Sequence, residues 1–169
     1  MTIEQISDVN YQEFKQSPRA ALVVGSSYCQ ACKVYNPVID TLGNNIPFVR
    51  IGKTTLDKDR SIKLKTDYRD IGTWTLPTTL LFKDGKEVSR IKGSALYPKA
   101  LTEFQNNLIL GSTVYCLDRG IYLPGIVKHI VNGGDKYLIQ LMQDSFLGGK
   151  NSIVELSKER FQWGLETKV

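Results

Sequence analysis

Ala20-Ala21-Leu22-Val23-Val24-Gly25-Ser26-Ser27-Tyr28-Cys29-Gln30-Ala31-Cys32-Lys33 is the stretch that decides the fold. Its first five residues are an unbroken apolar run of strand length, as in a central strand covered on both faces. Gly25-Ser26-Ser27-Tyr28 makes a turn, and a helix is predicted from Cys29 to about Leu42. Pro37 is expected to kink that helix, since proline lacks the N–H and collides with the preceding turn. A cysteine pair at i, i+3 suits either half of a metal site or a redox couple. The placement favours the couple, because unpaired N–H groups and the macrodipole at a helix start favour an anion on the first cysteine. Cys29 is therefore expected to ionise below the roughly 8.5 of a free thiol. Cys32, one turn on, is expected to face inward, react less, and lie within reach to resolve a mixed disulfide.

The flanking sequence continues the pattern. Ile3–Ile6 reads as a short strand, with Ser7 and Asp8 as caps of an amphipathic helix over Val9–Ser17 that Pro18 ends. Ile46–Ile51 is the next predicted strand and Asp57–Tyr68 the next helix. Two β-rich runs between Thr75 and Ile91 meet at Asp84-Gly85, a hairpin signal. Pro98–Leu110, with Leu101, Phe104 and Leu108 at helical spacing, closes the series. The order β-α-β-α-β-α-β-β-α makes an α/β unit, a mixed sheet with helices on its faces.

At Gly111-Ser112 the character changes. Strand-like runs follow at Thr113–Cys116, Gly125–Val131, Lys136–Met142 and Ser152–Leu156, with turns at Gly120, Gly133-Gly134-Asp135 and Gly148-Gly149. Two domains are expected, 1–111 and a small all-β barrel over 112–169.

Composition excludes several classes. A chain of 169 residues, 41% hydrophobic and 23% charged, is neither disordered nor collagenous, and three cysteines cannot make a disulfide framework. No run reaches the roughly 18 apolar residues of a membrane span. The start, Met1 to Asp8, has no basic or apolar leader pattern, which predicts the cytoplasm, or export if a leader has been removed. The net charge of +5 is spread as 15 basic against 11 acidic residues in 1–111 and 7 against 6 beyond, with no dense basic run, which argues against nucleic-acid binding. A zinc site needs four N/S ligands, and the chain offers Cys29, Cys32, Cys116 and His129 without a second close pair, so no metal and no cofactor are expected.

Residues 3–110 resemble the thioredoxin family. The resemblance rests on Tyr28-Cys29-Gln30-Ala31-Cys32-Lys33 after a buried strand, Pro37 five residues past the second cysteine, Leu76-Pro77-Thr78 before Leu80-Leu81-Phe82-Lys83-Asp84-Gly85, and Gly93 after the last strand. It implies a cis Leu76–Pro77 bond against the dithiol, and a Leu76 backbone that pairs with an extended substrate segment. It further implies substrate contacts from Tyr28, Gln30, Ala31, Leu76, Pro77 and Gly93; Trp74, just before the proline segment, could line the same groove or be an ordinary half-buried loop aromatic. This chain departs from the family pattern at Tyr28, where Trp is usual, and at Gln30-Ala31, which replaces Gly-Pro. Val23 stands where many members carry a buried acid, which implies slower resolution unless another group serves. Lys53 or Arg50 could bring a cation to the dithiol, although a solvated or sheet-edge charge is the more ordinary expectation.

The segment Gly120–Val127 resembles the second-strand entry of Tudor-like and other SH3-like barrels. Tyr115, Tyr122, Tyr137, Phe146, Phe161 and Trp163 could include a cage for a cationic ligand, but in so small a barrel most of them are expected to fill the core. Cys116 reads as a buried small hydrophobe and His129 as a surface residue. The function these readings predict is thiol–disulfide exchange, reducing protein disulfides with electrons from a partner reductase, while the barrel takes a protein ligand and steers substrate choice. The rival is an interaction protein whose barrel binds a partner and whose dithiol senses redox state or is vestigial.

Overall fold

All seven residues of Arg19–Gly25 are buried, so the apolar run forms a strand with cover on both faces. It is β2, at the centre of a five-stranded sheet ordered β1 (Glu4–Gln5), β3 (Arg50–Thr55), β2, β4 (Thr78–Lys83), β5 (Lys86–Lys92). The β1–β3 and β3–β2 pairs are parallel, and the β2–β4 and β4–β5 pairs antiparallel. Asp84 and Gly85 join the last two strands with φ of 53° and 84°. Positive φ at both central residues matches the twist of the hairpin they close. The computed structural model describes residues 3–46, 49–58, 62–72 and 75–163, which divide into two units between Asn107 and Leu108.

The two faces of the first sheet carry different helices. Ala20, Leu22, Val24, Leu80 and Phe82 form one core with Ile6, with Tyr11 and Phe14 of α1 (Tyr11–Lys15), and with Leu64 of α3 (Ile62–Asp67). On the other face Thr79, Val23 and Lys53 form a row across three strands beneath α2 (Gln30–Asn45). Thr79 Oγ1 and the Tyr35 hydroxyl are 3.2 Å apart, and Lys53 Nζ donates to Asn36 Oδ1 at 2.9 Å. α4 (Tyr97–Phe104) packs against α2.

Several local expectations are corrected. The strand expected at Ile46–Ile51 is β3, shifted to Arg50–Thr55; α2 runs on to Asn45, and the Ile46 N–H ends it on the Leu42 carbonyl at 2.8 Å. Residues 47–48 lie outside the described residues. Gly52-Lys53-Thr54-Thr55 is too polar to read as a strand, yet neighbours on both sides pair with it. At Gly52 a Cβ would lie 2.5 Å from Ile6 Cγ1, so the absence of a side chain is what lets the core close there. Asp8 does not cap α1. Its carboxylate accepts the N–H groups of Lys63 and Leu64 at 2.9 and 3.1 Å, holding the start of α3, which is shorter than expected at Ile62–Asp67. α2 continues through Pro37, and the last helix passes at Gln105–Ile109 into a π-helical turn.

The second unit is an antiparallel sheet ordered β10 (Phe161–Trp163), β6 (Thr113–Asp118), β7 (Ile121–Val131), β8 (Lys136–Leu141), β9 (Ile153–Ser157). The residues before β6 bond into it: the Gly111 N–H reaches the Val127 carbonyl at 2.9 Å, and Ser112 Oγ the Leu108 carbonyl at 3.1 Å. β7 starts four residues earlier than expected and takes in Pro124, whose carbonyl accepts from Met142. β10 is too short to leave a periodic signal. Val114, Cys116, Val127, Ile139, Leu141 and Leu156 are buried here, so the interior is mainly aliphatic. Of the aromatic residues expected to fill the core, Tyr137 does so and Tyr115 is half-buried, whereas Tyr122 and Phe146 are exposed, which corrects the expectation for those two. The inward positions of β6 fall on Val114, Cys116 and Asp118, and those of β8 on Tyr137, Ile139 and Leu141. The side chains of Phe161 and Trp163 lie outside the described residues. Cys116 is buried, and His129 lies exposed beside a bulge between Val127 and His129.

Candidate functional site

The dithiol sits where the strand hands over to the helix. Cys29 is the N-cap of α2 with an extended backbone (φ −90°, ψ 107°), and its sulfur accepts the Cys32 N–H at 3.1 Å. The two cysteines form a disulfide with their Cα atoms 5.3 Å apart. A cap N–H aimed at the first sulfur is the arrangement that stabilises a thiolate there once the bond is reduced. The expectation that Cys32 is the hidden thiol needs correction. Both sulfur residues are half-buried, and Cys32 opens into a cavity of about 390 Å³ whose walls include Val23, Gly25, Asn36 and Lys53.

Backbone and side-chain bonds fix the loop that carries Cys29. The Cys29 N–H reaches the Ser26 carbonyl at 3.4 Å, while the Ser27 N–H donates to Asp57 Oδ1 at 2.9 Å and its hydroxyl to Oδ2. Those two bonds hold the Asp57 carboxyl below its usual range.

On the other side of the dithiol the Leu76–Pro77 peptide is cis. Thr78 pairs with Val24, so one further step places Pro77 level with Gly25, at the root of the dithiol loop. A hollow of about 280 Å³ beside it brings together Ser26, Tyr28, Leu56, Ile71 and Leu76, with Asp57 and Lys65 at its edge. Tyr28 stands 89% exposed. Gln30 and Ala31 lie on the first turn of α2, the former exposed and the latter half-buried. Gly93 adopts φ 78° and donates its N–H to the Pro77 carbonyl at 2.7 Å, tying the end of β5 to this loop. Trp74 falls outside the described residues.

The two cations raised from the sequence part company. Arg50 enters β3 opposite Ala20, five residues from the Thr55–Gly25 pair, which is roughly 16 Å along a strand. There it bonds Glu4, Glu13 and Ser17 and lies over the Phe14 ring, remote from the dithiol. Lys53 lines the cavity with Cys32, half-buried rather than solvated. Asn36, which holds it, went unnoticed in the sequence, although it lies four residues past Cys32 and so on the same helix face. Among the described residues no three His, Cys, Asp or Glu side chains cluster to hold a metal.

No family model matches the chain. The thioredoxin of Chlamydia pneumoniae is 33% identical over 107 residues, 63% of this chain and 95% of that protein. Thioredoxin AMT13 of Alternaria alternata is 35% identical over 89 residues, 52% of this chain and 70% of that protein. The Fasciola hepatica thioredoxin structure superposes with a TM-score of 0.54 at 19% identity, covering 62% of this chain and 99% of that one. A Cys29–Cys32 disulfide at a helix start, on this mixed sheet and in a chain so similar to thioredoxins, defines a protein-disulfide oxidoreductase. Its likeness to the chlamydial protein over almost the whole of that relative settles the lineage: the chain belongs to the thioredoxin family.

Proposed function

We propose that the protein reduces disulfide bonds of other proteins in the cytoplasm, with Cys29 as attacking thiolate and Cys32 as resolving thiol. The Cys29 thiolate attacks one substrate sulfur and expels the other as a thiolate. Cys32, losing its proton, then attacks Cys29 and releases the substrate, leaving the Cys29–Cys32 disulfide for an electron-donating reductase to reopen. The observation that carries this reading is the Cys32 N–H directed at the Cys29 sulfur at the start of α2. Tyr28, Gln30, Ala31, Leu76, Pro77 and Gly93 form the substrate groove, the Leu76 backbone pairing with an extended segment; the hollow shared by Tyr28 and Leu76 supports it.

Residues 112–169 are, on this reading, a separate SH3-like, Tudor-related barrel that selects partners. The strand order supports it, since β6 pairs with both β7 and the last strand, β10. Exposed Tyr122 and Phe146, the latter with the Arg119 guanidinium 3.3 Å from its ring centre, supply a contact surface. The same surface favours a second reading, an interaction protein whose dithiol only reports redox state. A full-length Cys32→Ser protein separates the two. It is expected to remain disulfide-linked to a restricted set of cytosolic proteins, and adding Tyr122→Ala and Phe146→Ala is expected to change that set while a small model disulfide is still attacked. A trap that captures nothing sinks the reductase reading, and an unchanged set removes the selector role.

A further inference from the structure

The concavities on either side of the dithiol are bordered mainly by charge of one sign. In the cavity that Cys32 opens into, the exposed charged side chains are Lys33 and Lys58; in the hollow shared by Tyr28 and Leu76 they are Lys65 and Asp57. Ser26 borders both, so these four groups ring one patch of surface around the disulfide. Asp57 is the one acid among them, and its carboxylate is occupied: Oδ1 accepts the Ser27 N–H at 2.9 Å and Oδ2 the Ser27 hydroxyl. Among the described residues none of the three ammonium groups has an ion-pair partner. The surface they enclose is apolar, with Leu56, Ile71 and Leu76 in the hollow alongside the exposed Tyr28.

We infer that this ring selects acidic substrates: the disulfide it admits lies in an extended protein segment with Asp or Glu within about three residues of the cysteine attacked, roughly 10 Å of strand. The inference rests on the reading of Cys29 as attacking thiolate, and it names the class of protein which that thiolate meets. Because Ser27 takes both carboxylate oxygens, Asp57 forms no ion pair with Lys58 or Lys65, and the ring stays net positive. Opposite charge raises the rate of encounter and fixes the register of the incoming segment, whose apolar side chain beside the cysteine enters the hollow at Leu76. A segment flanked by lysines meets like charge on every side except at Asp57, and is turned away by it.

The test sets the pre-reduced full-length protein, in single turnover, against synthetic peptides closed by one disulfide and identical but for Glu, Gln or Lys at the positions flanking the cysteine attacked. Each rate is divided by that of dithiothreitol on the same peptide, since flanking charge alters a disulfide's reactivity toward any thiolate. Exposed pairs of opposite charge are individually weak, about two- to fivefold each, so a pair of acids should favour the Glu over the Lys peptide about tenfold at low salt. That preference should fall to about twofold in 1 M salt, where the screening length is about 3 Å. Lys58→Gln and Lys65→Gln should each cut it by about two- to threefold. Lys86→Gln, which removes the same charge at the far end of the sheet, where Lys83 pairs with Arg19, should leave it unchanged. No preference between the Glu and Lys peptides, a preference that ignores salt or survives Lys58→Gln and Lys65→Gln, or an equal loss in Lys86→Gln overturns the proposal while the reductase reading stands. If the reduced protein opens none of the peptides although dithiothreitol opens them all, the attacking role of Cys29 fails and takes the proposal with it.

Discussion

Gly25 ends β2 at the point where the dithiol loop leaves the sheet, and replacing it by alanine probes how tightly the second sulfur is seated. A Cβ there would lie 3.0 Å from Cys32 Sγ and 3.5 Å from Cys32 Cβ, against the roughly 3.5–4.0 Å of an unstrained contact. Gly25 lies outside the left-handed region, so the backbone accepts alanine and the cost is one of packing. That cost depends on redox state. In the disulfide the sulfur is held from both sides, by α2 and by Cys29, whereas in the dithiol it can turn about χ1 to another staggered well. Overpacking by a methyl costs about 1–3 kcal/mol, and the low end applies where the methyl meets one side-chain atom. With about 1.4 kcal/mol equal to 30 mV for a two-electron couple, Gly25→Ala should raise the reduction potential by about 20–30 mV. The entropy alanine removes from the unfolded chain, about 0.4–1 kcal/mol, is common to both redox states and cancels. Mixing oxidised variant with reduced wild type, quenching with acid and separating the four species gives the difference directly. A variant that equilibrates at the same potential, or a lower one, refutes the reasoning.

Three further outcomes are expected. After reduction, alkylation at mildly acidic pH should modify Cys29 before Cys32, because only the Cys29 sulfur receives the cap N–H, while Cys116, whose thiol burial pushes up to about 11, should react only after unfolding; mass mapping reads the order, and Cys32 first would contradict it. Arg50→Met removes bonds to Glu4, Glu13 and Ser17 at half-exposed sites and should cost about 1 kcal/mol in denaturant unfolding while leaving disulfide reduction at the wild-type rate, since the arginine lies at the far end of β3. Asp57 titrates below its ordinary value in the folded protein, so its contribution to stability is complete above the unfolded carboxylate value and fades as pH falls through the depressed one; Asp57→Asn should flatten that part of the curve of denaturant midpoint against pH, and an identical curve would show that the Ser27 bonds carry no linkage.

The parts of the fold written in apolar runs were legible before any coordinates. Ala20–Val24 and Leu80–Phe82 could only be interior strands, and Cys29-Gln30-Ala31-Cys32 announced its chemistry through its place after one of them. What escaped depended on partners remote in the chain. β3 hid because Gly52-Lys53-Thr54-Thr55 becomes a strand only through its two neighbours, and Asp8 looked like a local cap because nothing in sequence points from it to Leu64. The pairing of Lys53 with Asn36 was out of reach for the same reason, needing strand register and helix phase together. In the second unit Tyr122 and Phe146 misled, since composition names candidates for an interior but strand alternation decides which positions point inward, as it does for Tyr137 in β8.

The pairing of β2 with β3 on one side and β4 on the other bears on how the protein survives its own chemistry. Amides in a strand so enclosed exchange with solvent only through the largest opening the unit undergoes, whereas loops and helix ends open far more often. The dithiol hangs from the end of that slowest-exchanging strand. Each catalytic cycle makes and breaks a covalent bond, but the change is confined to a turn rooted in the part of the sheet least able to open. Reduction can therefore loosen Ser26–Cys32 without spreading into β2, so the molecule meets every new substrate on the same frame.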